Sequence, residues 1–153
     1  TGIAAMRDDF ADVVVVDAFG GDRVPADLTT SEFFADVARV TTGDGLVLLN
    51  LADHAPFPYV RRVVRGVCDT FAQVMISAEP ATLKGRRFGN VLVMASPVQL
   101  PWQSLARRAA SSPFPYRVLP YREVVEKFAA KQAFTDADAE RSPARPGLPT
   151  YFS

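Results

Sequence analysis

Asp17 closes a run of four valines at positions 13–16, and Asp12 opens it. A carboxylate at the C-terminal end of a buried strand stands where α/β sheets carry their functional groups, and there it can hold a cation or take a proton. The same aspartate can equally cap the loop that follows. Asp22 falls in the turn-rich stretch 18–25 and reads as a solvated turn residue. The remaining chemistry-bearing residues are isolated. His54 is the only histidine; a metal centre needs several ligands, so it reads as a loop residue and no metal site is expected. Cys68, the only cysteine, lies beside Val67 and near Phe71 on an expected helix, where packing outweighs nucleophilic chemistry. One histidine and no Gly-x-Ser-x-Gly turn leave no serine triad.

The elements that must position these residues belong to a chain of 153 residues with 48% hydrophobic composition, enough for one globular domain with a core. Lysine plus arginine and aspartate plus glutamate number 17 each, so no global field favours nucleic acid or an anionic membrane. The arginine pairs at 61–62, 86–87 and 107–108 read as separate solvated faces. The apolar runs are too short to span a bilayer, and no basic-then-apolar signal segment opens the chain. With a single cysteine and these exclusions, a cytoplasmic location is expected. The start at Thr1, without methionine, reads as a processed or trimmed chain.

The valine run predicts a strand buried on both faces. Thr29-Thr30-Ser31-Glu32 has capping-box spacing, with Thr29 as the N-cap and Glu32 reaching back; Phe33, Phe34, Val37 and Val40 then give a helical apolar face. A turn over 42–45 and a second strand over 46–50 complete a βαβ unit. A helix is expected over about 57–71, strands over 72–78 and 90–96 with a hairpin loop between them, and helices around 101–110 and 121–131, with Trp102 as a packing anchor. From Thr135 the chain turns polar and proline-rich, with Pro143, Pro146 and Pro149. The expectation is therefore an α/β domain over 1–134 and a tail over 135–153. Its sheet would be a partial Rossmann-like one, with parallel strands, helices on both faces and an antiparallel hairpin.

The segment from Asp12 to Phe34, with its acidic strand end at Asp17, the Pro25-Ala26 loop, Leu28-Thr29 and an aromatic-rich helix, resembles the spermidine synthase family, and more closely its divergent bacterial members. Gly43-Asp44-Gly45 with the strand ending at Asn50, and the strand pair near 73–76 and 90–95, are similar in order and spacing. The resemblance implies the class I methyltransferase fold, here only its C-terminal half, since sixteen residues before Asp17 cannot hold the missing strands and glycine-rich nucleotide loop. It implies aminopropyl transfer from decarboxylated AdoMet to a small amine such as putrescine. In that chemistry the attacking amine must be neutral. Asp17 would be the catalytic base, Asp22 and Asn50 would bind substrate, and Pro25 and Ala26 would line the nucleoside pocket.

Two departures bear on specificity. Gly20 stands where the family has a second carboxylate, and Lys84 lies in the hairpin loop, where it would repel a cationic substrate. They keep open two other functions: a binding module with a degraded site, or an AdoMet-dependent methyltransferase. No nucleic-acid or membrane partner is expected. Without the missing half, the valine strand would be an unpaired edge, so the chain is expected to self-associate or to pair with that half, unless the tail folds back over the edge.

Overall fold

The computed structural model describes residues 2–147; Thr1 and the end of the expected tail, including Pro149, lie outside the described residues. Five strands form one sheet: β1 (Ala11–Val16), β2 (Thr41–Asp53), β3 (Gln73–Ala78), β4 (Gly89–Ser96) and β5 (Arg117–Leu119), in the order β1-β2-β4-β3-β5. The helices are α1 (Ser31–Val40), α2 (Pro58–Thr70), the single turn α3 (Pro80–Leu83), α4 (Trp102–Ala110) and α5 (Tyr121–Glu123), which widens into a π turn at Val124–Phe128. β1 and β2 are parallel and joined through α1; β4 is antiparallel to both β2 and β3, and β5 is antiparallel to β3. The molecule is thus a mixed α/β sheet with a parallel start, and its hairpin strand β4 is inserted between β2 and β3. β5 was not anticipated: three residues close to Pro115 and Pro120 carry no readable period.

The parallel strands are positioned by one packed face. Val16 of β1, Val47, Leu49 and Leu51 of β2, Val91 and Val93 of β4, and Val74 and Ile76 of β3 are buried with Phe34 and Val37 of α1 and Val60, Val63, Val64 and Val67 of α2. Where α1 meets α2, a Cβ on Gly66 would lie 3.1 Å from the Phe34 ring, so the absent side chain sets how closely the helices approach. At about 25 cal/mol per Å² of apolar surface, this face supplies most of the drive to fold.

The other face contradicts the expectation of a valine run buried on both sides. Val13 is 54% and Val15 62% exposed, and Leu92 is exposed beside them. Strand register places Val13 opposite Leu46, Val15 opposite Leu48, and Leu48 opposite Met94, so these side chains form one open apolar surface. Among the described residues, only the β3–β5 end, where α4 packs against β5, is covered: Met75 and Ser77 of that face are buried. Trp102 is not a packing anchor; it is exposed at the start of α4.

Local details differ where side chains found other partners. The N-cap of α1 is Thr30, whose Oγ1 accepts from the Phe33 N–H at 3.1 Å; the Thr29 hydroxyl donates instead to the carbonyl of Ala26. Glu32 does not reach back: its Oε2 accepts from the Asp136 N–H at 3.1 Å. β2 begins directly after α1, because the expected turn at 42–45 is a bulge: Ala11 pairs with Thr41 but Val13 with Leu46. Gly45 is required there, since a Cβ would lie 2.5 Å from the Thr41 methyl.

The polar segment after Phe134 returns across the domain. Arg62 of α2 donates to the Ala133 carbonyl and pairs with Asp138. Ser142, fully buried, exchanges hydrogen bonds with Val24: its Oγ accepts from the Val24 N–H at 2.8 Å and its own N–H donates to the Val24 carbonyl. The segment does not add to the sheet. Among the described residues, β1 pairs only with β2.

Candidate functional site

The C-terminal ends of β1 and β2 carry Asp17 and Asn50 side by side. Val16 pairs with Leu49, so the next residues, Asp17 and Asn50, are neighbours on the open face of the sheet. Asn50 Nδ2 donates to Asp17 Oδ1 at 3.0 Å, and Asn50 Oδ1 accepts from Asn90 Nδ2 of β4 at 3.1 Å. A polar row thus crosses three strands where the apolar floor of Val15, Leu48 and Leu92 ends.

Asp17 also lines a cleft of about 830 Å³ along the free edge of β1. Its walls are Val14, Val15 and Val16, the turn around Ala26–Leu28, the first turns of α1, and Asp136 and Ala139 from the returning segment. Five carboxylates line it, those of Asp17, Asp27, Glu32, Asp36 and Asp136, and no lysine or arginine does. Asp36 is engaged by Arg39 at 3.1 Å, whereas Asp17 meets, among the described residues, only a neutral amide. An acidic cleft of this kind attracts cations, and its apolar strand edge accommodates methylenes.

The expected site residues separate into two groups. Asp17 and Ala26 line the cleft, and Asn50 touches it through Asp17. Asp22 and Pro25 do not line it. Asp22 sits in a tight turn closed by the Gly20 N–H donating to the Arg23 carbonyl at 2.8 Å, and Pro25 precedes the 3-10 turn Ala26–Leu28. Lys84 is not near Asp17's cleft; it borders a separate basic one with Arg86, Arg87 and Phe114.

Two residues do structural work that the sequence reading did not assign. Asp53, fully buried, accepts from the His54 N–H with Oδ1 and from the Tyr59 and Val60 N–H groups with Oδ2, and so caps α2 from the end of β2. His54 itself is a half-exposed loop residue. Asn90 was missed because its link to Asn50 depends on strand register. Burial pushes the Cys68 thiol up to about 11, with Arg65 opposing, which keeps it un-ionised near neutrality. Among the described residues, no group of three or more His, Cys, Asp or Glu side chains is placed to hold a metal ion.

No family model matches the sequence, and no curated protein matches it. Solved structures do. The chain superimposes on a probable spermidine synthase from Corynebacterium glutamicum with a TM-score of 0.81 and 25% identity, over 99% of this chain and 53% of that one. In structure the chain is similar to spermidine synthases. A spermidine synthase in complex with the transition state analogue AdoDATO matches with a TM-score of 0.50 and 18% identity, over 81% of this chain and 43% of that one, a likeness of fold. The chain therefore has a methyltransferase-like fold and spans about half the length of these structures. No helix of the described residues is long and apolar enough to cross a membrane.

Proposed function

We propose that this chain forms the acceptor side of an aminopropyltransferase-like enzyme, with Asp17 taking the proton of the attacking amine. The observation that supports it most is the Asp17 carboxylate, tethered by Asn50 and opening on a cleft lined by five carboxylates and no basic side chain. In the reaction, the amine nitrogen forms a bond to the carbon beside a sulfonium, the carbon–sulfur bond breaks with its electron pair going to sulfur, and the proton leaves to Asp17. Decarboxylated AdoMet, the donor in this reading, carries both a sulfonium and an ammonium. An acidic cleft with apolar strand walls and Ala26 at its side fits such a ligand. Ala26 is assigned to the nucleoside side, with Pro25 setting the turn that carries it, and Asn50 to orientation of the base.

Asp22, at its turn outside the cleft, is left with no substrate role. The second anchor for a diamine is assigned instead to Asp27, on the same cleft wall. Residues 1–134 then act as part of a longer transferase domain, working in the cytoplasm, with the segment from 135 closing the cleft. The free edge of β1 is where a second copy or the remainder of such a domain pairs.

One contact favours a second reading, a binding module without turnover. Gly20 stands at the place of a carboxylate in the spermidine synthase pattern, and its carbonyl accepts from Arg141, which brings a cation there. Calorimetric titration of the chain with decarboxylated AdoMet, AdoMet and methylthioadenosine separates the readings. Preference for the decarboxylated form supports aminopropyl transfer. Preference for AdoMet moves the assignment to methyl transfer, and binding of neither, with amines still bound, leaves the binding module.

A further inference from the structure

Asn50 is an amide, and an amide has two ends. Which end faces Asp17 decides whether the carboxylate is held or repelled, because an ionised carboxylate only accepts hydrogen bonds. Asn50 presents Nδ2 to Asp17, which leaves its Oδ1 aimed at β4. There it meets Asn90 Nδ2 at 3.1 Å. Rotating the Asn50 amide by half a turn would set oxygen against the Asp17 carboxylate and nitrogen against the Asn90 nitrogen, replacing two attractions by two repulsions.

We propose that Asn90 is a positioning residue for Asp17, acting through Asn50. This rests on the reading of Asp17 as the group that receives the amine's proton. Asn90 does not line the cleft. Register explains its reach: Asn50 lies opposite Leu92 and Ala52 opposite Asn90, so Asn90 is the diagonal neighbour of Asn50 on the same face of the antiparallel pair. With the Asn50 amide fixed, Asp17 Oδ1 is committed to Nδ2 and Oδ2 stays open to the ligand. Without Asn90, Asn50 Oδ1 faces water and the amide samples both orientations.

The test is a double-mutant cycle in the 153-residue chain, titrated calorimetrically with 1,4-diaminobutane. Asn90→Ala weakens binding about two- to tenfold, the range for one hydrogen bond, but adds nothing in an Asn50→Ala background. An Asn90 loss that is undiminished in that background would overturn the proposal. A spectroscopic arm stands apart from the ligand: in side-chain amide NMR, Asp17→Ala shifts the signals of both Asn50 and Asn90, and Asn90→Ala speeds exchange of the Asn50 amide protons with water. If the unmodified chain binds no diamine, the amine reading fails, and the NMR arm alone decides the positioning role. Asn90 signals indifferent to Asp17→Ala would reject it.

Discussion

Asp53 Oδ2 lies 3.0 Å from the backbone nitrogen of Val60, across the loop that joins β2 to α2. The carboxylate is fully buried and answers three backbone N–H groups. Two of them, those of Tyr59 and Val60, are donors that the first turn of α2 would otherwise leave unpaired, since Phe57 at the N-cap position makes no side-chain cap bond. Asp53→Ala is expected to destabilise the fold by about 3 kcal/mol, with Asp53→Asn costing less because it keeps one acceptor. Urea unfolding followed by circular dichroism measures both. A loss near zero for Asp53→Ala would mean that water replaces the cap.

Asp17 and Asp22 make an opposed pair. Both are exposed carboxylates in one loop region, but only Asp17 lines the acidic cleft. Asp17→Asn should weaken binding of 1,4-diaminobutane by about tenfold or more, the size of a lost charge-assisted contact, while Asp22→Asn should leave it within about twofold. Asp27→Asn should weaken the diamine while sparing butylamine. Equal effects of the Asp17 and Asp22 variants would move the site to the turn.

Asp138 supplies a pH signature. Arg62, and then the Thr135 N–H and hydroxyl, hold its carboxyl at about 2, below the ordinary 3.8. A depressed folded-state value stabilises the fold above the unfolded value and loses that contribution as pH falls through the window from 3.8 to about 2. The melting temperature of the unmodified chain should therefore exceed that of Asp138→Asn at pH values above this window and converge with it towards the bottom. A constant gap would show that Asp138 acts only through packing.

Much of this was legible in the sequence, and the failures have physical reasons. The valine run located β1, because β-branched residues in succession fit a strand, but period and composition do not say whether a second layer covers it. Val13 and Val15 are exposed because α1 and α2 cover only the opposite face. Asp17 and Asn50 were nominated separately; that they touch follows from the Val16–Leu49 register, which only pairing fixes. Asn90 and Ser142 act across 40 and 118 residues of chain, beyond the reach of any local pattern.

The uncovered face has its own test. Val13 and Val15 lie beside the unpaired edge of β1, a surface that favours association. Light scattering should detect concentration-dependent association of the unmodified chain, reduced by Val15→Lys with no loss in melting temperature. A monodisperse monomer up to millimolar concentration would show that the edge is harmless as it stands.

The tie between Val24 and Ser142 joins two points at nearly opposite ends of the described chain. Contacts so distant in sequence carry a high loop-closure cost and tend to form late in folding. During synthesis, Asp17 and the strands around it can assemble while Asp136, Ala139 and Ser142 are still unmade. The acidic cleft is therefore completed only once residues 136–142 have been made and have docked. A nascent polypeptide presents the valine strand before it presents this binding site, which makes the delay between making β1 and making residues 136–142 a determinant of how much of it matures.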